Sequence, residues 1–133
     1  MMLSEITVVA GIIYKDEDHF LIAKRKTGKV NAGFWELPGG KIETGEKAEV
    51  ALERELKEEL DITIDEVRYF TQSIFTDTDL KIILECYTCR FVAGTFTLSD
   101  HDEILWIRKE EVADYIFTKA DRSVLMLLHN LSL

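Results

Sequence analysis

The chain has few cysteines, one proline and few basic residues, and each shortage removes a class of explanation. Two cysteines in 133 residues cannot build a disulfide scaffold. With Pro38 as the only proline, no proline-rich linker divides the chain. No apolar run approaches the ~20 residues that cross a bilayer, so no membrane partner is expected. Lys and Arg number 16 against 25 Asp and Glu, a net charge of −9. A nucleic-acid polymer demands a basic footprint, and none is visible. A small anionic substrate bridged by metal to protein carboxylates stays compatible, and acidity for solubility accounts for the same total. Residues 1–10 contain Glu5 and no basic n-region, so they do not read as a secretory signal. The expected compartment is the cytoplasm.

What is present suits one globular unit over residues 1–133, with 47% hydrophobic and 31% charged residues. Ile6 to Tyr14 is rich in β-branched residues and predicts a strand, followed across Lys15–Asp18 by a second at Phe20 to Lys24. Leu37-Pro38-Gly39-Gly40-Lys41 predicts a sharp backbone feature with both glycines free to take positive φ. Ala48, Leu52, Leu56 and Leu60 make a four-residue apolar stripe, predicting a helix over Glu46 to Leu60 capped by Thr44. Ile62 to Phe75 and Leu80 to Val92 read as paired strands, and Ile104 to Ile107 as a short one. Lys109 to Tyr115 and Ala120 to Leu131 read as helical. The order predicts an α+β fold, a mixed sheet with helices on both faces. Cys86 and Cys89 fit a redox or metal pair. On a strand, though, residues three apart point to opposite faces, as ordinary strand residues would.

The chemistry concentrates on the mid-chain helix. Glu55, Glu58 and Glu59 stand at i, i+3 and i+4, on one helix face. Three clustered carboxylates repel one another unless a cation sits among them, and an all-oxygen site suits Mg²⁺ or Mn²⁺. The alternative is a solvated acidic face, which is the reading for Glu49 and Glu53. Glu46 adds an acid at the helix start.

Gly40, Glu46 and the run Arg54-Glu55-Leu56-Lys57-Glu58-Glu59-Leu60-Asp61-Ile62 resemble the Nudix box, GX5EX7REUXEEXGU with U apolar. Eight of its nine specified positions match over 23 residues. The departure is Asp61, where the family has glycine at the helix end. Asp is among the better non-glycine residues for a left-handed conformation. The approach to the box, Val8 to Arg25 and then Gly33 to Lys41, is similar to MutT-type nucleoside triphosphate pyrophosphohydrolases, and the likeness weakens after Thr71. The resemblance implies an α/β/α sandwich and hydrolysis of a nucleoside triphosphate to monophosphate and pyrophosphate. It makes Glu55, Glu58, Glu59 and the Gly39 (or Gly40) carbonyl metal ligands, with Asp100 as an extra acid and Glu103 as its alternative. Arg54 pairs with Glu46 and orients the carboxylates; a plain surface ion pair is the alternative. Glu55 is the general base, with Glu58 and Asp100 as rivals.

On the substrate side, Arg25 resembles a phosphate-contacting arginine, with Lys41, Lys24 and Lys81 as weaker candidates. Asp121 matches the position of a base-contacting Asn or Asp, and a helix N-cap is its alternative. A carboxylate there suits an amino edge such as that of cytosine, or the N1/N2 edge of guanine. The pattern is closer to the cytidine-triphosphate branch than to the asparagine-bearing oxidised-guanine branch, with oxidised purine nucleotides kept as the other substrate class. Leu37, Phe34 and Phe117 would flank the base or pack the core. The partner expected is therefore a small nucleotide, bound by a monomer or homodimer. A nucleotide-sugar hydrolase and a non-catalytic nucleotide-binding module are the rival readings; retention of all four box glutamates opposes the second.

Overall fold

A computed structural model describes residues 4–131, so residues 1–3 of the N-terminal stretch and residues 132–133 lie outside it. The elements are β1 (Ser4–Tyr14), β2 (His19–Arg25), β3 (Trp35–Glu36), β4 (Gly39–Lys41), α1 (Ala48–Leu60), β5 (Ile62–Thr76), β6 (Leu80–Gly94), β7 (His101–Arg108), a 3-10 helix (Lys109–Asp114) and α2 (Lys119–Asn130). They form a seven-stranded sheet in the order β3-β2-β1-β6-β5, with β4 on β1 and β7 on β2. Strand β1 runs parallel to β6 from Ser4↔Leu80 to Tyr14↔Arg90. On its other side it meets β2 only at Tyr14↔Phe20 and β4 at Val8 to Ala10. The sheet therefore splays between β1 and β2, and β4 fills part of the opening.

The alternation of β1, β2 and β6 builds two cores, one on each face. Ala10, Ile12, Phe20, Ile22, Leu84 and Cys86 pack with Val124, Leu125 and Leu128 of α2. Val9, Ile13, Leu21, Tyr87 and Cys89 pack with Ala51, Leu52, Leu56 and Leu60 of α1. Leu52, Leu56 and Leu60 of the α1 stripe are fully buried and Ala48 is half-buried, and each such leucine contributes ~1.5–3 kcal/mol from burial. The two cysteines fall on opposite faces, both buried and free. Burial pushes both thiols well above their ordinary range, so they serve the core and neither redox nor metal chemistry.

Three local expectations are corrected. Helix α1 begins at Ala48, with Lys47 rather than Thr44 at its N-cap and no side-chain cap bond. Glu46 stays outside the helix because its N–H donates to Glu43 O (3.0 Å) and its carboxylate accepts the Glu43 N–H (3.1 Å). Gly39 and Gly40 do not take positive φ; they lie in β4. Glycine is required there for room, since a Cβ at Gly39 would collide with the Val9 carbonyl of β1. Tyr87 Oη donates to Glu49 (3.1 Å), so Glu49 is more than a solvated acid. Asp61 takes the left-handed conformation (φ 55°, ψ 47°) at the C-cap of α1. Its carboxylate accepts from Thr95 (2.9 Å) and pairs with Lys57 (3.0 Å).

Candidate active site

A cleft of about 930 Å³ opens where the sheet splays. The β4–α1 connection forms one wall. Close packing of β4 on β1 brings Gly40 against α1, so tightly that a Cβ at Gly40 would land on the Glu55 carboxyl. Arg54 organises the acids around it. Its Nε and Nη2 grip both Glu46 oxygens (2.8 and 2.9 Å), and Nη1 donates to Glu55 (3.0 Å) and Glu58 (3.2 Å). Nη2 also donates to the Lys41 carbonyl (3.1 Å), tying α1 to the end of β4. The bidentate grip is the strong form of such a pair. Arg54 and then the Glu43 N–H hold Glu46 down to about 2. Glu55 is moved the opposite way, by burial first, with Arg54 opposing.

Glu59 is not among the acids that Arg54 pairs with, and the charges nearest to it are acidic. Burial raises Glu59 most, followed by the charges of Glu55, Asp100 and Glu36, and its carboxyl is pushed up to about 8. This is the signature of a place short of positive charge. Among the described residues no three acidic, His or Cys side chains are poised around one point as they stand. The expected convergence is therefore incomplete, because Arg54 holds Glu55 and Glu58 in its own ion pairs and takes no part in holding Glu59. The donors nonetheless fit a hard divalent cation: all are oxygens, they border one cleft, and Glu59 lacks a cationic partner.

The opposite wall comes from β2, β3 and the start of α2. Trp35 N–H donates to Ile116 O (2.8 Å) and Thr118 N–H to Trp35 O (3.0 Å), which seats the α2 start beside Leu37. Asp121, 5% exposed, accepts from the Thr118 hydroxyl (2.7 Å). Thr118, not Asp121, occupies the N-cap position, so the capping alternative for Asp121 is overturned. Burial first, then the Glu36 charge, pushes Asp121 up to about 7. Arg25 ends β2 facing the cleft, with Nη1 on Glu36 (2.9 Å) and Nε on the Val30 carbonyl (2.7 Å). His101 Nε2 meets the second Glu36 oxygen at 2.8 Å, leaving its buried Nδ1 without a partner.

The cleft thus brings together Arg25, Leu37, Gly39, Lys41, Arg54, Glu55, Glu58, Glu59, Asp100 and Asp121. Glu46 sits just behind, on Arg54. Glu103 is exposed on β7, opposite Lys24, and neither borders the cleft. Lys81 pairs with Glu5 (3.8 Å) instead. Phe34 borders the cleft, whereas Phe117 is buried in the core. Sequence reasoning passed over Glu36, His101, Lys29, Phe75 and Lys119, all of which line the cleft. Glu36 lies within the Gly33 to Lys41 stretch, beside Leu37; the others carry no local signal, because their positions come from how distant segments meet.

The NUDIX domain model matches residues 5–128. A CTP pyrophosphohydrolase of Escherichia coli is 34% identical over 116 residues, covering 87% of this chain and 85% of the relative. A putative 8-oxo-dGTP diphosphatase 2 of Mycobacterium tuberculosis is 35% identical over 123 residues, 91% and 85% of the two chains. A crystal structure of a MutT protein from Methanosarcina mazei superposes with a TM-score of 0.84 at 27% identity, covering 96% of this chain and 94% of the other.

Proposed function

The chain belongs to the Nudix hydrolase family, and we propose that within it the protein is a nucleoside triphosphate pyrophosphohydrolase. It splits a (deoxy)nucleoside triphosphate into the monophosphate and pyrophosphate, with Mg²⁺ as the resident cation and Mn²⁺ as a substitute. The observation that carries this reading is the layout of one cleft. The box acids and Arg54 line it together with the buried Asp121. Its volume, about 930 Å³, suits a ligand with a base, a sugar and phosphates.

Glu55, Glu58, Glu59, Asp100 and the Gly39 carbonyl would hold the cation. When bound, it neutralises charge on the phosphate oxygens. Glu46 and Arg54 fix the carboxylates. Glu55 accepts the proton of a water that forms a bond to phosphorus, while an anhydride P–O bond breaks and pyrophosphate leaves. Arg25 and Lys41 draw in the phosphates, and Leu37 and Asp121 face the base. The relatives named for CTP and 8-oxo-dGTP support a triphosphate, and the carboxyl at Asp121 supports a base with a donor edge, as in CTP or dCTP.

The test is a panel of canonical, oxidised and methylated nucleotides plus nucleotide sugars, scored for pyrophosphate against orthophosphate. Pyrophosphate release from a triphosphate is expected. Orthophosphate alone, or turnover confined to nucleotide sugars, would overturn the assignment.

A further inference from the structure

The loop between β2 and β3 carries Lys29, whose Nζ lies 2.6 Å from Asp100 Oδ1. The loop is fastened to the segment before β7 by other bonds as well. Lys26 N–H donates to Asp100 O (3.2 Å) and Lys26 Nζ to Ser99 O (3.3 Å). Thr27 donates to Asp102 through both its N–H (3.0 Å) and its hydroxyl (2.8 Å). Lys29 therefore adds little to the fastening. Its distinct feature is that its charge meets a carboxyl bordering the same cleft as Glu55, Glu58 and Glu59.

We propose that Lys29 is a positioning residue that stands in for the cation at Asp100 and passes to the substrate phosphates when Asp100 turns to the metal. The proposal rests on the metal reading given above. One carboxylate cannot keep an ammonium at 2.6 Å and also ligate a divalent cation without placing like charges a few ångströms apart. Both partners are part-exposed, 42% and 37%, and a pair of that kind contributes little net stability and exchanges at small cost. The released ammonium rides on a flexible four-carbon stem. Lys26 and Thr27 keep its loop in place, and Arg25 Nε holds the same loop through Val30 O (2.7 Å), so Lys29 stays at the cleft it lines. The anion that arrives there with the metal is a polyphosphate.

The role has a signature that simple loop bracing does not. Lys29→Met keeps the stem and removes the charge. Calorimetric titration with Mn²⁺ alone should show tighter binding to the variant by about fivefold, the scale of one exposed charge pair. Titration with an α,β-methylene nucleoside triphosphate at saturating Mg²⁺ should show weaker binding by a similar factor. Lys29→Arg should restore both values. Mn²⁺ affinity unchanged or lowered in Lys29→Met overturns the stand-in role, and unchanged affinity for the analogue overturns the transfer to phosphate. Loss of both affinities together would mark Lys29 as a loop brace. Absence of Mn²⁺ binding to either chain would instead bring down the metal reading itself.

Discussion

Replacing Asp121 by asparagine should make the protein more stable at alkaline pH, although the residue is buried and hydrogen-bonded. Asn keeps the shape and can still bond the Thr118 hydroxyl. It cannot ionise. Burial, then the nearby Glu36, lifts the Asp121 carboxyl from its ordinary 3.8 to about 7. The folded chain thus binds this proton more tightly than the unfolded chain. The stabilisation is complete below about pH 4 and disappears as the pH climbs through about 7. At ~1.36 kcal/mol per pH unit of displacement, the loss is on the order of 4 kcal/mol. Urea unfolding of both chains under chelator, from about pH 4 to about pH 8, measures the difference directly, because other titrating groups appear in both curves. Asp121→Asn should gain on the parent steadily across that interval. Parallel curves would refute the premise that a desolvated carboxyl sits in the cleft. If Asp121 reads the substrate, the parent tolerates this cost at neutral pH for the sake of recognition.

Mg²⁺ at about ten times its dissociation constant should add about 1.4 kcal/mol by mass action, visible as a rise in Tm that chelator reverses; a melt indifferent to both would count against the cation. Glu58→Gln should fold normally, since Glu58 is 60% exposed, yet lose roughly 10²-fold or more in turnover. Turnover equal to the parent would take Glu58 out of the catalytic set. Gly40→Ala places a methyl on the Glu55 carboxyl at an ordinary φ. Its Tm should move by less than about 5 °C while Mn²⁺ binding weakens, and wild-type Mn²⁺ affinity would show that the close approach is dispensable. Leu56→Ala, at a fully buried position under α1, should cost about 2–5 kcal/mol in urea unfolding; a cost below 1 kcal/mol would mean that the helix face is not packed as described.

The mid-chain helix and its acids were legible because both depend on local spacing: a four-residue apolar stripe and acids at i, i+3 and i+4 are one-dimensional facts. The same holds for Asp61, whose residue type tolerates the left-handed turn that ends α1. Two glycines in a row also signalled a special backbone, but the chain alone could not say which kind. Turn freedom and lack of room look identical in sequence, and only the contact of β4 with β1 and α1 distinguishes them.

Everything that depends on two distant segments meeting was decided by the tertiary structure. Glu46 lies outside the helix because Arg54 and Glu43 hold it there. Asp100 rather than Glu103 borders the cleft, since the β2–β7 register turns Glu103 outward beside Lys24. Glu36 gained its partners Arg25 and His101 across 11 and 65 residues of chain. The amino-acid order by itself determined which side chains carry charge and which helix face is apolar, because those follow from covalent spacing. Which acid faces which cation, and which carboxyl loses its water, was decided only when the splayed sheet closed those distances and excluded solvent.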